Sequence, residues 1–439
     1  MAKKAFFFVL LIVIGGSILM AQEVSEKKEI AVFALSYYDY KVPSQALGMV
    51  DEQIKNVFVN LGRFKILGMN YRLSGNGVNE FIAKIREFKE QNVEIPEEVQ
   101  LGQEAFTEAD FNQLVNSFIV VIPVMSYYNL SVNDDGDYKA EIRTNFTLVD
   151  VRNIETTAFF TIETDGYSGN AAEAVKRAVD EIPIQLQYEI RKIPEFQIKS
   201  GIVDVLSRSK VVIQFGSDMG LKKGDEYAIV QTEERSSGYT SKSRKALLVI
   251  REVEEDHSIA QVVYSKDGRP MIGEQVQEIP KLGLDTTVYT HALLDFFGSG
   301  GGMTFGDGFD LTVGFRQSFS RGFFLARPLA GLEMPISQIR YINAVPLTLY
   351  GGGELDLWFG RFQLVPTAAA GLNVTFPLTD SDEVYLAHLG FLAQLNFNYL
   401  IGDMVRLSLE TGYSYFFRVN QYFDSYGGVL AGLAVQIRY

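Results

Sequence analysis

The chain has 439 residues, a formal net charge of −14 and no cysteine. At roughly 150 residues per domain, the length allows about three domains, each large enough to bury its own core. The missing cysteines exclude disulfides, thiolate metal sites, cysteine nucleophiles and lipidation on cysteine, and the acidic balance argues against nucleic acid as a partner.

In chain order, Lys3 and Lys4 precede an apolar run over residues 5–14, and Gly15, Gly16 and Ser17 lead to Ala21. That order predicts a secretory signal peptide over residues 1–21, with a retained N-terminal anchor as the alternative. Residues 29–35 read as a strand, 44–61 as a helix with Leu47, Val50, Ile54, Val57, Phe58 and Leu61 at helical spacing, and 63–67 as a second strand. Helices around 78–91 and 107–118 follow, then a meander of strands at 119–132, 138–149 and 157–164, and an amphipathic helix over 171–192. Together these predict an α+β domain over residues 22–194. Within it, the run from Asn133 to Asp137 imitates the start of a calcium loop. Its twelfth position is Thr144, not glutamate, so the run reads as a hairpin turn.

Residues 195–280 predict a small β-rich domain with strands near 209–215, 226–233, 246–254 and 258–265. Gly216, Gly220 and Gly224 punctuate its first turn, and Asp225 follows the last of them.

Lysine stops at Lys281, and the pattern beyond has period two. Val405, Leu407, Leu409, Tyr413, Tyr415 and Phe417 share one parity, while Arg406, Ser408, Glu410, Gly412 and Ser414 share the other, as a strand with one apolar face requires. Such strands are expected at 286–296, 309–319, 323–334, 344–359, 362–376, 384–400, 404–418 and 427–439. Short connections at 320–322, 360–361 and 402–403 alternate with longer ones at 298–308, 335–343, 378–383 and 419–426. An eight-stranded antiparallel transmembrane β-barrel over residues 284–439 fits this pattern, with short turns periplasmic and long loops outside. A soluble sandwich or lipocalin-like barrel is the alternative. Phe319, Phe324, Phe359, Phe362 and Tyr399 near strand ends fit an interfacial aromatic girdle.

Parity sends Asp295, Asp310, Arg316, Arg327, Glu333, Glu354, Asp356, Arg406, Glu410 and Arg438 into the lumen. Eight strands leave an interior just wide enough for side chains to fill, and buried charges persist only when paired. A plugged lumen is expected, with Arg316, Arg327, Glu354, Asp356, Arg406 and Arg438 at similar heights and in mutual contact. His257, His291 and His388 sit at no metal-ligand spacing, so no catalytic residue, cofactor or metal is expected, and a lumen hydrogen bond is the ordinary role for His291 and His388.

The run Ile30 to Leu35, the helix after it and the stretch Leu61 to Leu73 resemble the opening of the CsgG-type, TolB N-terminal-like domain of curli secretion and related envelope proteins. Leu148 to Val151 and the helix from Ala171 are similar to the end of that domain. The run Val211 to Val230, with Gly220, Gly224 and Asp225, resembles the C-terminal domain of flagellar assembly protein T, where a glycine turn and a Gly-Asp pair introduce a strand. The final strand, with Leu433, Val435, Ile437 and the terminal Tyr439 on one parity, resembles the signal read by the barrel assembly machinery of the outer membrane.

The expected protein is multidomain: an α+β periplasmic domain, a small β-rich domain and a C-terminal barrel. Its expected role is non-enzymatic: an outer-membrane barrel that anchors periplasmic domains acting as a scaffold or docking module in an envelope or flagellum-related assembly. Outer-membrane lipid, the assembly machinery and an unidentified periplasmic protein are the expected partners, and homo-oligomerisation stays open. Alternatives are a secretion or transport channel formed by oligomers, and an adhesin using Tyr422, Phe423 and Tyr426 as exposed aromatics.

Overall fold

The computed structural model describes residues 24–38, 42–73, 75–91, 95–101, 104–234, 239–295, 309–337, 339, 344–378, 384–421 and 423–439. The expected signal peptide, the loop at 298–308 and Tyr422 lie outside them.

The first strands are β1 (Lys28–Val32), β2 (Ser36–Tyr37), β3 (Phe64–Gly68), β4 (Glu98–Leu101) and β5 (Glu104–Thr107), followed by the long meander β6 (Ile119–Val132), β7 (Tyr138–Asp150) and β8 (Glu155–Ser168). They form a sheet in the order β3-β1-β6-β7-β8, with β2 beside β6, while β4 and β5 pair separately. β1 runs parallel to β3 and β6, because helices carry the chain back between them. Alternation on β1 and β6 buries both faces. Ile30, Val32, Ile119 and Val121 meet the helices Ser44–Asn60 and Ala171–Lys192. Ala31, Val120 and Ile122 meet Gly75–Gln91 and Glu108–Asn116. The helix Ala171–Lys192 starts where Asn170 accepts hydrogen bonds from the Ala172 and Glu173 amides, and carries Arg191 and Lys192 in its last turn. The Asp-rich run is a hairpin turn between β6 and β7: Gly136 has φ 87°, and Asn133 Oδ1 accepts from the Asp137 amide at 2.7 Å.

Next come β9 (Lys199–Ser207), β10 (Lys210–Gln214), β11 (Glu226–Glu234), β12 (Thr240–Val253), β13 (His257–Ser265) and β14 (Gln275–Ile279). They close into a small barrel in the order β10-β13-β12-β11-β14-β9. The sequence predicted only four of these six strands. β9 contains Gly201, and β14 is five residues long with two glutamines, so neither shows a clear apolar alternation; closure of the barrel creates them.

The last strands are β15 (Leu284–Asp295), β16 (Phe309–Phe319), β17 (Ala326–Pro335), β18 (Ala344–Leu355), its short continuation β19 (Leu357–Phe359), β20 (Phe362–Pro377), β21 (Tyr385–Ile401), β22 (Val405–Arg418) and β23 (Tyr426–Arg438). All pairings are antiparallel. β18 pairs with β20, and β15 pairs with β23, which closes an eight-stranded barrel. Observed bounds differ from the expected ones by three residues or fewer, and the split of β18 from β19 lies opposite Pro366, which has no N–H to offer the ladder.

Parity holds around this barrel. Leu407, Leu409, Leu433, Val435 and Phe397 are 45–65% exposed on the outside, whereas Arg406, Ser408, Glu410, Ala434 and Gln436 are buried inside. The terminal alternation Leu433, Val435, Ile437 and Tyr439 lies wholly on the exposed face. Most of the expected girdle is exposed, and the Phe362 and Tyr399 rings sit 5.1 Å apart. Phe324 is a correction. It packs against the small barrel with Val249 and Val263 and lies 5.5 Å from the Arg251 guanidinium.

Candidate functional site

The features that set this chain apart are the charged interior of the large barrel and the surface that closes one end of it. At the short-turn end, Arg327 on β17 reaches three carboxylates: Asp285 at 3.0 Å, Glu354 at 2.8 Å and Asp356 at 2.9 Å. Arg406 on β22 meets Asp285 at 3.3 Å and Asp356 at 4.0 Å, and donates to Gln436 Oε1 at 2.6 Å. These side chains are at most 5% exposed. Charges so buried are tolerable because each guanidinium fork engages more than one acceptor. Asp285 is the hub of this tier, and the parity argument missed it. Its strand begins two residues earlier than the alternation suggested, just after Gly283.

A second tier lies deeper in the lumen. Arg316 donates to Glu410 at 2.7 Å and to Gln394 at 3.1 Å, and His291 Nε2 lies 2.7 Å from the other Glu410 oxygen. Tyr289 and Tyr350 hydroxyls share a hydrogen bond at 2.8 Å, and Tyr289 donates to Glu333 at 3.0 Å. Their rings cross the lumen where Gly314 and Gly331 leave room: a Cβ at either would fall within 2.4 Å of a tyrosine ring carbon. Arg316 therefore does not join Glu354 and Asp356 as expected. Asp310 is buried and accepts from Ser337, Glu333 is partly buried, and the Asp295 side chain lies outside the described residues. His388 Nε2 meets the Asp424 carbonyl at 2.9 Å. Tyr426, expected as an exposed loop aromatic, is 4% exposed and stacks on Phe416 inside, and Phe423 is half-buried.

Arg438 also departs from the expected contacts. It lies 3.8 Å from Asp285, but its closer carboxylate is Glu226, at the start of β11 in the small barrel. The small barrel lies across the short-turn end. Ala228, Leu247, Val249, Val263 and Ile279 from its outer wall pack with Leu400, Phe324 and Trp358 of the large barrel. Trp358 also lies under the Arg406 and Arg438 guanidiniums, at 4.7 and 5.8 Å. All three short turns touch it. The Gly322 amide donates to Lys223 O at 2.7 Å, Arg361 stacks on Tyr264 at 3.9 Å, and Asp403 accepts from Tyr264 at 2.7 Å and from Arg244 at 2.5 Å.

The glycine turn of the small barrel is the junction of all three sheets. Gly220 and Gly224 have φ of 78° and 82°, and a Cβ at either would lie 2.0 Å from a carbonyl oxygen, that of Leu61 or of Ser320. Asp225 is buried between Arg191 of the long helix at 3.2 Å and Arg321 of the large barrel at 3.0 Å. Arg191 and Arg63 share Glu278 at 2.5 and 2.6 Å. Burial alone would push the Glu278 carboxyl up. The two guanidiniums and the Ile198 amide outweigh it and hold it down at about 2.

Among the described residues no cluster of His, Asp or Glu is arranged to hold a metal ion. The arrangement defines a closed eight-stranded barrel, apolar outside and ion-paired inside, sealed at one end by a second barrel. No family model and no curated protein matches the chain. Among solved structures, Neisserial surface protein A aligns with 36% of this chain and 96% of its own at 11% identity, with a TM-score of 0.27. Lipoprotein GNA1162 from Neisseria meningitidis aligns with 36% of this chain and 97% of its own at 14% identity and a TM-score of 0.21. TolB from Acinetobacter baumannii aligns with 95% of each chain at 9% identity and a TM-score of 0.18. At these scores the architecture rests on the strand pairings themselves.

Proposed function

We propose that the protein is a non-enzymatic outer-membrane anchor. In this reading the large barrel sits in the membrane with its short turns toward the periplasm, and residues 22–280 form a rigid periplasmic docking module for an envelope assembly. One observation carries the reading: a closed barrel with an apolar exterior, a lumen filled by ion pairs and a mouth sealed by another folded unit. A contiguous apolar band on a closed barrel needs a lipid solvent. A dry, paired lumen under a seal favours anchoring over conduction. The resemblance of residues 22–194 to CsgG-type domains and of residues 195–280 to flagellar assembly protein T supports a docking role in the envelope. Burial of Tyr426 and partial burial of Phe423 weaken adhesion.

The test is reconstitution of the full chain into phospholipid vesicles. Expected results are heat-modifiable gel mobility, resistance to carbonate extraction and no steady single-channel current. A chain that stays soluble without detergent would overturn the membrane assignment, and steady currents would overturn the sealed lumen.

A further inference from the structure

We infer that the small barrel has a second function within the chain: it clasps the closing seam of the large barrel, and Glu226 is the clasp. The inference rests on the membrane-anchor reading. In the large barrel, neighbouring strands are consecutive hairpins, with β19 continuing β18, everywhere except between β15 and β23. That seam joins the first and last strands. It therefore carries the loop-closure entropy of the whole barrel sequence and can form only after the hairpins exist.

At its short-turn end the seam is built to need an outside partner. Arg438, 2% exposed, sits directly across from Asp285. Asp285 lies 3.8 Å from it and already serves Arg327 and Arg406 at 3.0 and 3.3 Å. Within the barrel's own sequence the Arg438 guanidinium otherwise donates to the Asp403 carbonyl at 3.2 Å and lies 5.8 Å from the Trp358 ring, neither of which supplies a negative charge. Its close carboxylate partner is Glu226. The other Glu226 oxygen lies 3.0 Å from Lys281, which leads directly into β15. One carboxylate therefore grips residue 281 before the first strand and residue 438 at the end of the last, and is itself 4% exposed. Backbone bonds beside it complete the seam, Gly283 N to Tyr439 O at 2.9 Å and Tyr439 N to Leu284 O at 3.0 Å. A strand end carrying an uncompensated buried arginine would be held open until Glu226 arrives, because a guanidinium without its carboxylate is costly to desolvate.

The experiment follows closure of the full chain, diluted from urea into phosphatidylcholine vesicles, by the shifted band on unheated gels over time. Glu226→Gln should slow closure about tenfold, and Glu226→Asp, which keeps the charge on a shorter stem, should fall between. In an Arg438→Met background, where the cation is gone, Glu226→Gln should slow closure less than about threefold. Native-rate closure of Glu226→Gln, or equal slowing in both backgrounds, would overturn the clasp while leaving the anchor intact. Failure of the native chain to give any shifted band would overturn the anchor and the clasp together.

Discussion

Arg327→Met removes the cation at the centre of the short-turn tier and replaces it with an apolar side chain of similar length. Within the barrel that tier holds three arginines, Arg327, Arg406 and Arg438, and three carboxylates, Asp285, Glu354 and Asp356. After the change Asp285 keeps Arg406 at 3.3 Å and Asp356 keeps it at 4.0 Å, but Glu354 has no other ion pair among the described residues. A carboxylate 3% exposed is left without its partner in the lumen. Breaking a buried pair by removing one partner costs about 3–5 kcal/mol, and that is the expected loss. Adding Glu354→Gln removes the stranded charge and should recover about 2 kcal/mol of it. The assay is urea unfolding in vesicles, read by the gel shift and by fluorescence of Trp358, the one tryptophan in the chain. A loss below about 1 kcal/mol, as for solvent-screened surface pairs, would refute the dry lumen and return conduction to consideration.

Leu409→Arg places a charge on the exposed outer face at mid-strand and should cost about 2–4 kcal/mol in bilayers, while Ser408→Ala loses the 2.6 Å hydrogen bond to Asn398 and should cost about 1 kcal/mol. The reverse order would put the register off by one residue. Glu278 is held at about 2 in the folded chain, against roughly 4.3 unfolded, so its contribution is fully present above the unfolded value and lost as pH falls from there toward 2. About 3 kcal/mol of junction stability should disappear over that window, and limited proteolysis at acid pH should show Glu278→Gln lacking that part of the dependence. Gly224→Ala, at φ 82° and with its Cβ 2.0 Å from Ser320 O, should unseat the small barrel at a cost of about 2 kcal/mol or more, seen as a Trp358 emission shift; unchanged emission would mean that the turn yields.

Much of the large barrel was legible in the sequence because which face a residue takes in a strand depends only on its parity. Arg406, Glu410 and Gln436 could be assigned to the interior without knowing any neighbour, and the mixture of apolar and small residues marked the strands from β15 to β23. The long helix was legible for a similar reason, since Ala174, Val175, Ala178, Val179, Ile182 and Leu186 recur at helical spacing and all of them are buried. What the sequence left open was every relation across space. Parity says that Arg316 points inward, but whether it meets Glu354 or Glu410 depends on the stagger that accumulates strand by strand around a closed barrel. That stagger carries Arg316 to β22 and not to β18. Asp285 looked like the residue before a strand, and becomes a hub only once β15, β17 and β22 converge on it. β9 is interrupted by Gly201 and β14 is short and polar, so neither announces itself, and closure of the small barrel was invisible until its pairings existed. Gly220, Gly224 and Asp225 read locally as turn chemistry. Their closest long-range neighbours, Leu61, Ser320 and Arg321, lie far away in sequence, and packing against those neighbours gives the turn its role as the junction. Local order along this chain was set by side-chain alternation and capping, properties of a few adjacent residues. The ion pairs and the seal over the barrel mouth were decided by tertiary structure, because opposite charges choose partners by distance in three dimensions.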